Sequence, residues 1–289
     1  MIQCLFSIII PSYNRAHIIT RAIQGVLDQT FQDYEIVIVD DGSKDHTKEI
    51  LQEYSDNFKI KYVYQNNAGV CAARNTGAKQ ATGEFLVFLD SDDTVEKSWL
   101  EDFYHLVIQN KDWLFCSMKM VKLDKSEVLV SALDPYKDGK SIGNGIPGSW
   151  AIKRDVFFKV GMFDENIKFG ENVELRFRLN QEELKIGVCD NYNFTYFESL
   201  NGGSRNLKNK IDSNLYIIKK HPIYFRLNPR VLRFYLQNIA VAYAKLGIWN
   251  KARIYFWKAY ITDMLKFKTL ARLMIASFPF FGKKIWKQQ

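Results

Sequence analysis

Two clusters of carboxylates stand where strands should end. Asp40-Asp41 closes the apolar run Ile36–Val39, and Asp90-Ser91-Asp92-Asp93 closes the run Phe85–Leu89. Like charges gathered at one sheet edge repel unless a cation or a donor-rich ligand joins them. Mg²⁺ or Mn²⁺, held by one or two carboxylates and bridging a diphosphate, meets that need. A single aspartate more often caps a helix or solvates a turn. The Asp90-x-Asp92-Asp93 cluster, directly after a wholly apolar strand, is instead read as a binding site.

The elements that must position these groups are legible from periodicity. Phe6–Ile10 is a continuous apolar run bounded by Pro11, fit for a buried parallel strand. Ile18, Ile19, Ala22, Ile23, Val26 and Leu27 recur at helical spacing. Ile36–Val39 makes a second strand, after which Ser43 or Asp45 can cap a helix. Lys61–Tyr64 reads as a third strand, Val70–Ala81 as a helix and Phe85–Leu89 as a fourth strand. Such alternation implies a parallel sheet with right-handed crossovers, which binds ligands beyond the carboxyl ends of its strands. Farther on, Trp99, Leu100, Phe103, Leu106 and Val107 line one helix, and Trp113–Val121 and Val128–Val130 read as strands. The loop GNGIPGSW at 143–150 leads to a helix over Arg154–Val160, another runs from about Val173 to Glu183, and Gly187–Phe197 returns to the sheet. From about Lys208 the text is helical. Tyr235, Ile239, Ala242, Tyr243 and Leu246, then Ala252, Tyr255, Phe256, Ala259 and Tyr260, predict a helical hairpin.

The four stretches SIIIPSYN at 7–14, VDDGSKDHT at 39–47, NNAGVCAARNTG at 66–77 and FLDSDD at 88–93 resemble, in order and spacing, family 2 inverting glycosyltransferases. The resemblance covers roughly the first 200 residues. It implies an α/β fold of the glycosyltransferase A type: a single Rossmann-like nucleotide-sugar-binding domain over 1–204 with a mixed, mainly parallel sheet, plus a C-terminal helical extension over 205–289. It also implies a nucleotide-diphosphate-sugar donor, with UDP expected, and a divalent metal, Mn²⁺ or Mg²⁺. Carried onto this chain, Pro11 and Tyr13 border the base and Asp41 accepts from the uracil imide. Gly69 and Asn75 shape the donor pocket, Asp90 lies toward the ribose, and Asp92 lies toward the metal, with Asp93 as an alternative ligand or a supporting acid. A carboxylate suits the imide N–H through a charge-assisted bond, and a metal suits the charge developing on a leaving diphosphate. Arg74 either assists the phosphates or lies on the surface of its helix.

The family's base sits in an acidic pair at a helix start, after a Gly-Phe-Asp-Glu-like stretch. GMFDENIKFGENVELRFRL at 161–179 fits that frame, but Glu171 is followed by Asn172. An inverting displacement needs a carboxylate to accept the acceptor hydroxyl's proton, and an amide has no such basicity. Three readings stay open. Glu171 or Glu174 serves as base, Asn172 marks an inactivated enzyme, or the domain binds donor without turnover. The plain structural reading is that Glu171 and Asn172 start a helix and complement its dipole. Trp150 stands where the family lines an acceptor pocket and is also a natural core residue. Asn201-Gly202-Gly203-Ser204 reads as a loop closing on the diphosphate or as a hinge.

Composition bounds the remaining possibilities. With 289 residues, 47% hydrophobic and 25% charged, the chain is neither collagen-like nor disordered. Cys4, Cys71, Cys116 and Cys189 are scattered, which implies reduced, mostly buried thiols, and the four His show no zinc spacing. The N-terminal run LFSIIIP is short and lacks a basic leader, so it reads as a strand and not as a signal segment. No stretch reaches the roughly 18–20 apolar residues of a spanning helix. Charge is split: residues 1–204 hold 22 Lys+Arg against 30 Asp+Glu, whereas 205–289 hold 18 against two, Asp212 and Asp263. Such a basic, aromatic tail calls for a polyanion, and the ending FPFFGKKIWK favours an anionic membrane surface over nucleic acid. The expected protein is cytoplasmic, peripheral on the inner face of the cell membrane. It transfers sugar to a glycan or a polyprenyl-diphosphate-linked acceptor in bacterial surface polysaccharide synthesis, and no nucleic acid partner is expected. A donor-binding pseudoenzyme and, more distantly, a nucleic-acid-associated protein are the alternatives.

Overall fold

In a computed structural model that describes residues 4–132, 145–199, 206–262, 271–272 and 274–275, the apolar runs form the centre of one nine-stranded sheet. The strands are β1 (Phe6–Ser12), β2 (Tyr34–Asp40), β3 (Ile60–Tyr64), β4 (Phe85–Phe88), β5 (Thr94–Val95), β6 (Trp113–Val121), β7 (Glu127–Val130), β8 (Trp150–Lys153) and β9 (Ile186–Phe197). Their order is β3-β2-β1-β4-β8-β6-β9-β5, with β7 added on β6. The first four are parallel, which brings the carboxyl ends of β1, β2 and β4 to one edge. β8 enters antiparallel between β4 and β6, so the sheet is mixed. β5 and β8 are absent from the periodicity reading: two residues are too few for β5 to show alternation, and β8 begins at Trp150, the last residue of the stretch read as a loop at 143–150.

Short helices α2 (Thr47–Gln52) and α5 (Arg154–Lys159) follow β2 and β8, and each face of the sheet has its own core. Phe6, Ile8, Ile10, Ile36, Ile38, Phe85 and Val87 pack with the buried stripes of α1 (Ile19–Leu27) and α4 (Trp99–Val107). The alternate residues Ile9, Val37, Val39, Leu86 and Phe88 pack with α3 (Val70–Gln80) on the other face. The inward face of α3 is built from small residues, and a Cβ on Gly77 would lie 2.4 Å from Ile9 Cγ2 and 3.2 Å from Val39 Cγ2. A glycine there lets the helix lie directly on the strands, and this close approach carries Arg74 and Asn75 into the interior. The cysteines are free thiols, with Cys71 and Cys116 buried.

The chain divides into two compact units, Met1–Glu165 with Glu171–Ser199, and Asn166–Gly170 with Leu200–Gln289. The second unit contains α7 (Leu207–Lys220), α8 (Pro222–Leu227), α9 (Pro229–Lys245) and α10 (Trp249–Thr262). α9 and α10 form the expected hairpin around Ile239, Ala242, Tyr243, Ala252 and Phe256, and Ile211 of α7 joins them. Within this unit the short segment Asn166–Gly170 is held by the Lys168 backbone N–H, which donates to Ser213 Oγ at 3.0 Å. Among the described residues no helix is long and apolar enough to cross a membrane. The 201–204 loop and the FPFFGKKIWK ending lie outside the described residues.

Candidate active site

Three loops beyond the carboxyl ends of β1, β2 and β3 are tied into one body. The Asn14 N–H donates to Ser43 Oγ (2.9 Å), and Asn14 Oδ1 accepts from the Lys44 N–H (2.8 Å). The Arg15 and Ala16 N–H groups donate to Thr47 Oγ1 and Asp45 Oδ2. Asp45 keeps its carboxyl below the usual range through bonds from Thr47 and Ala16, although burial opposes them. Asp40 and Asp41 are both buried but do different work. Asp40 closes its own turn through the Ser43 N–H and accepts from the Tyr62 hydroxyl at 3.1 Å. Burial and that carboxylate push Tyr62 up to about 12.

Asp41 faces the β3–α3 loop. Its Oδ1 accepts from the Ala68 N–H (2.8 Å) and Gln65 Nε2 (2.7 Å), and its Oδ2 from the Gly69 N–H (2.8 Å). Gly69 stands at φ +94°, a backbone conformation that excludes most side chains, and the position of its missing Cβ is open space. Pro11 is buried at the end of β1, whereas the Tyr13 ring beyond it is 42% exposed. Pro11, Tyr13, Asp41 and Gly69 thus share one edge of the sheet.

The second cluster centres on Arg74. This guanidinium is 2% exposed, donates from Nη2 to Asp90 Oδ1 at 2.6 Å and from Nη1 to Glu171 Oε1 at 3.0 Å, and lies over the Phe163 ring at 5.4 Å. Burial alone would favour the neutral form, but the two carboxylates outweigh it and hold the charge more firmly than usual. Arg74 is therefore an interior cation and not a surface residue of its helix. Asn75 beside it is equally committed: Nδ2 donates to the Phe163 carbonyl and Glu165 Oε1, both at 2.9 Å, and Oδ1 accepts from the Phe163 N–H at 3.0 Å. The amide of Asn75 fixes the 163–165 turn.

Asp90, Asp92 and Asp93 diverge from a tight turn in which the Asp93 N–H donates to the Asp90 carbonyl. Asp92 is partly open, with Arg15 Nη2 3.5 Å from its Oδ2 and Arg21 bonded to its carbonyl. Burial and the neighbouring Asp90 raise its carboxyl, and Arg15 opposes that rise. Asp93 is fully buried; Oδ1 accepts from the Phe197 N–H on β9 at 3.0 Å, and Oδ2 has no partner. Its carboxyl is pushed well up by burial and by Asp90. A carboxyl raised in the folded state takes a proton more readily there than in the unfolded chain, so its contribution to stability falls as pH rises through its folded pKa. Asp93→Asn keeps the acceptor for Phe197 and removes the buried charge. In the ligand-free protein with chelator, the variant is expected to melt at or above the parent at pH 8, and the gap should shrink toward pH 5. A thermal melt series checks this, and a variant that melts well below the parent at pH 8 would refute it.

Glu171 opens α6 (Glu171–Leu179), where a carboxylate complements the helix dipole. Its hydrogen bonds, from Arg74 and from Asn172 Nδ2 at 3.1 Å, both reach Oε1. Asn172 Oδ1 is buried without a partner. Glu174 is fully buried and clamped by Arg178, with Nη2 at 2.7 Å from Oε2 and Nε at 3.0 Å from Oε1, so it has the ties of a structural group. Trp150 is 3% exposed and packs against Phe88 with ring centroids 5.4 Å apart. In this structure its ring has no open face for a sugar; it belongs to the core. Arg15 and Gln65 were missed in the sequence, although Arg15 follows β1 at the same kind of strand end that singled out the aspartates.

Among the described residues no three His, Cys, Asp or Glu side chains form a group able to cage a metal. The donor set at Asp90 and Asp92 nevertheless fits a hard cation that takes one or two carboxylates and fills its shell with phosphate oxygens and water. Asp92, beside Asp90, already draws Arg15, which shows a local demand for positive charge.

Residues 7–161 match the family described as Glycosyl transferase family 2. The cholesterol galactosyltransferase of Borreliella burgdorferi is 25% identical over 285 residues, covering 88% of this chain and 79% of that protein. An uncharacterized glycosyltransferase of Rickettsia prowazekii is 32% identical over 187 residues, 60% of this chain and 58% of that relative. Among solved structures, S. aureus TarS 1-349 in complex with UDP-GlcNAc aligns with a TM-score of 0.65 at 19% identity, covering 99% of this chain and 92% of that one.

Proposed function

The chain belongs to glycosyl transferase family 2 and has the glycosyltransferase A-type fold, and from that premise we propose that it is an inverting transferase that uses a UDP-sugar with Glu171 as its base. The observation that carries this reading is Arg74, which ties the Asp90 strand end and the start of α6 to one buried guanidinium. One donor-side carboxylate, Asp90, and the helix-terminal carboxylate of Glu171 are thereby held around a single group. TarS, crystallised with UDP-GlcNAc, supports the UDP assignment.

In this reading the uracil imide donates to Asp41, whose carboxylate is fixed by Ala68 and Gly69, while Tyr13 borders the base and open space above Gly69 admits the nucleoside. Asp90 faces the ribose and Asp92 holds Mn²⁺ or Mg²⁺, which when bound would neutralise charge on the diphosphate. The acceptor oxygen attacks the anomeric carbon as the bond from that carbon to the diphosphate oxygen breaks. The electron pair leaves with the nucleoside diphosphate, the hydroxyl proton passes to Glu171, and the configuration inverts. With Oε1 occupied by Arg74 and Asn172, Oε2 is the oxygen left to take that proton. The acceptor is a hydroxyl of a glycan or of a lipid-linked, polyprenyl-diphosphate type carrier at the cytoplasmic face of the membrane. A relative named for transfer to cholesterol supports a lipid acceptor.

The test is calorimetric binding and turnover over a donor panel with Mn²⁺, on this chain and on Asn172→Asp. The expected result is UDP-sugar binding and turnover by this chain, with Asn172→Asp changing kcat by no more than about tenfold. Tight binding with an inert parent and an active Asn172→Asp would move the base to position 172 and make this chain a disabled form. Failure of both proteins to bind any nucleotide sugar would end the transferase reading.

A further inference from the structure

α10 presents apolar residues on two opposite faces. Ala252, Phe256 and Ala259 are buried in the hairpin. On the other side Ile254, Trp257 and Ile261 stand 52%, 53% and 51% exposed. At i, i+3 and i+7 these three fall on one stripe of a 3.6-residue helix. The same spacing sets the exposed Lys251 and Lys258 along one border of the stripe and Arg253 along the other. A solvent-facing stripe of two Ile and a Trp is unusual in a helix whose opposite face already supplies its packing.

We propose that this stripe is the surface by which the helical unit docks on an anionic lipid bilayer. The inference deepens the part of the proposed function that puts the acceptor at a membrane, and it names the face that makes contact. Trp257, Ile254 and Ile261 enter the headgroup boundary while Lys251, Lys258 and Arg253 meet lipid phosphates on either side. Charge decides between occupants. Residues 206–262 carry 11 Lys+Arg against the single acid Asp212, so this unit faces its partner as a cation. A second copy packed stripe to stripe would set the cationic borders against each other, because a two-fold contact uses the same patch twice. A bilayer rich in anionic lipid offers apolar depth and negative charge together.

The test is flotation of the full chain with vesicles of 30% phosphatidylglycerol in phosphatidylcholine and with phosphatidylcholine alone. Tight binding to the anionic vesicles that falls with salt is expected. Both Ile254→Ser/Trp257→Ser and Lys251→Glu/Lys258→Glu should weaken it roughly tenfold or more. All four positions are exposed, so circular dichroism and UDP-sugar binding should match the parent. That control separates failure here from failure of the transferase reading, which would show in donor binding by the parent. Unchanged vesicle binding in both variants would overturn the proposal, as would equal binding to neutral vesicles. A parent dimer in solution that Trp257→Ser dissolves would assign the stripe to a contact between copies, and capture of an oligonucleotide in place of vesicles would assign it to nucleic acid.

Discussion

Glu171→Gln is expected to lower kcat by about two to four orders of magnitude, the usual worth of a positioned general base, while donor affinity stays within a few-fold of the parent. The substitution is close to isosteric. A glutamine amide oxygen can still accept from Arg74 Nη1, which lies 3.0 Å from Glu171 Oε1, so the architecture should persist. What is lost is the basic lone pair. A loss in kcat with unchanged UDP-sugar binding, read by calorimetry beside steady-state rates, would identify the residue that takes the proton. Equal losses in binding and rate would point to a structural part for Glu171. Full activity in Glu171→Gln would exclude it, and with Glu174 locked to Arg178 the base would have to come from elsewhere.

Arg74→Met should have the largest combined effect. The side chain is buried, and its removal leaves Asp90 and Glu171 without their shared cation. Breaking a fully buried ion pair from one side costs roughly 3–5 kcal/mol. Asp90 and Glu171 keep side-chain exposures of 28% and 14%, so solvent screening places this case at the lower end, about 3 kcal/mol. Activity should fall by at least about a hundredfold, because both ends of the site lose their fixed separation. Arg74→Lys should rescue little. One ammonium cannot reproduce two nitrogens of a planar fork that each point to a different carboxylate. Denaturant melts and a split of kcat from KM for the two variants check this; near-parent stability and activity in the Lys variant would refute the bridging role.

The alternation of strands and helices over the first ninety residues was readable because each buried strand is an unbroken apolar run and α1 repeats a buried stripe. The placement of Asp41, Asp90 and Asp92 followed from the same rule, since parallel strands bring their carboxyl ends to one edge. Side-chain pairing was not readable. Asn75 meets Phe163 across 88 residues, Arg74 meets Glu171 across 97, and Asp93 meets Phe197 across 104. Nothing in local spacing encodes such partners. Arg74 sits on a helix with little apolar periodicity, and its sequence leaves a phosphate role and a surface position both open until the small residues of α3 are seen to press that helix onto the sheet. Trp150 shows the converse: its aromatic face suggested a sugar platform, and β8, which begins at Trp150 where the sequence reads as loop, carries it inside.

The bonds that join Asn14 with Ser43 and Lys44, Arg15 with Thr47, and Asp41 with Ala68 and Gly69 have a consequence for anyone who would redesign the donor preference. Each of the three loops supplies hydrogen-bond partners to a neighbour. A chimera that transplants one loop from a relative inherits half of every such bond and strands the other half. The unit of exchange is the trio.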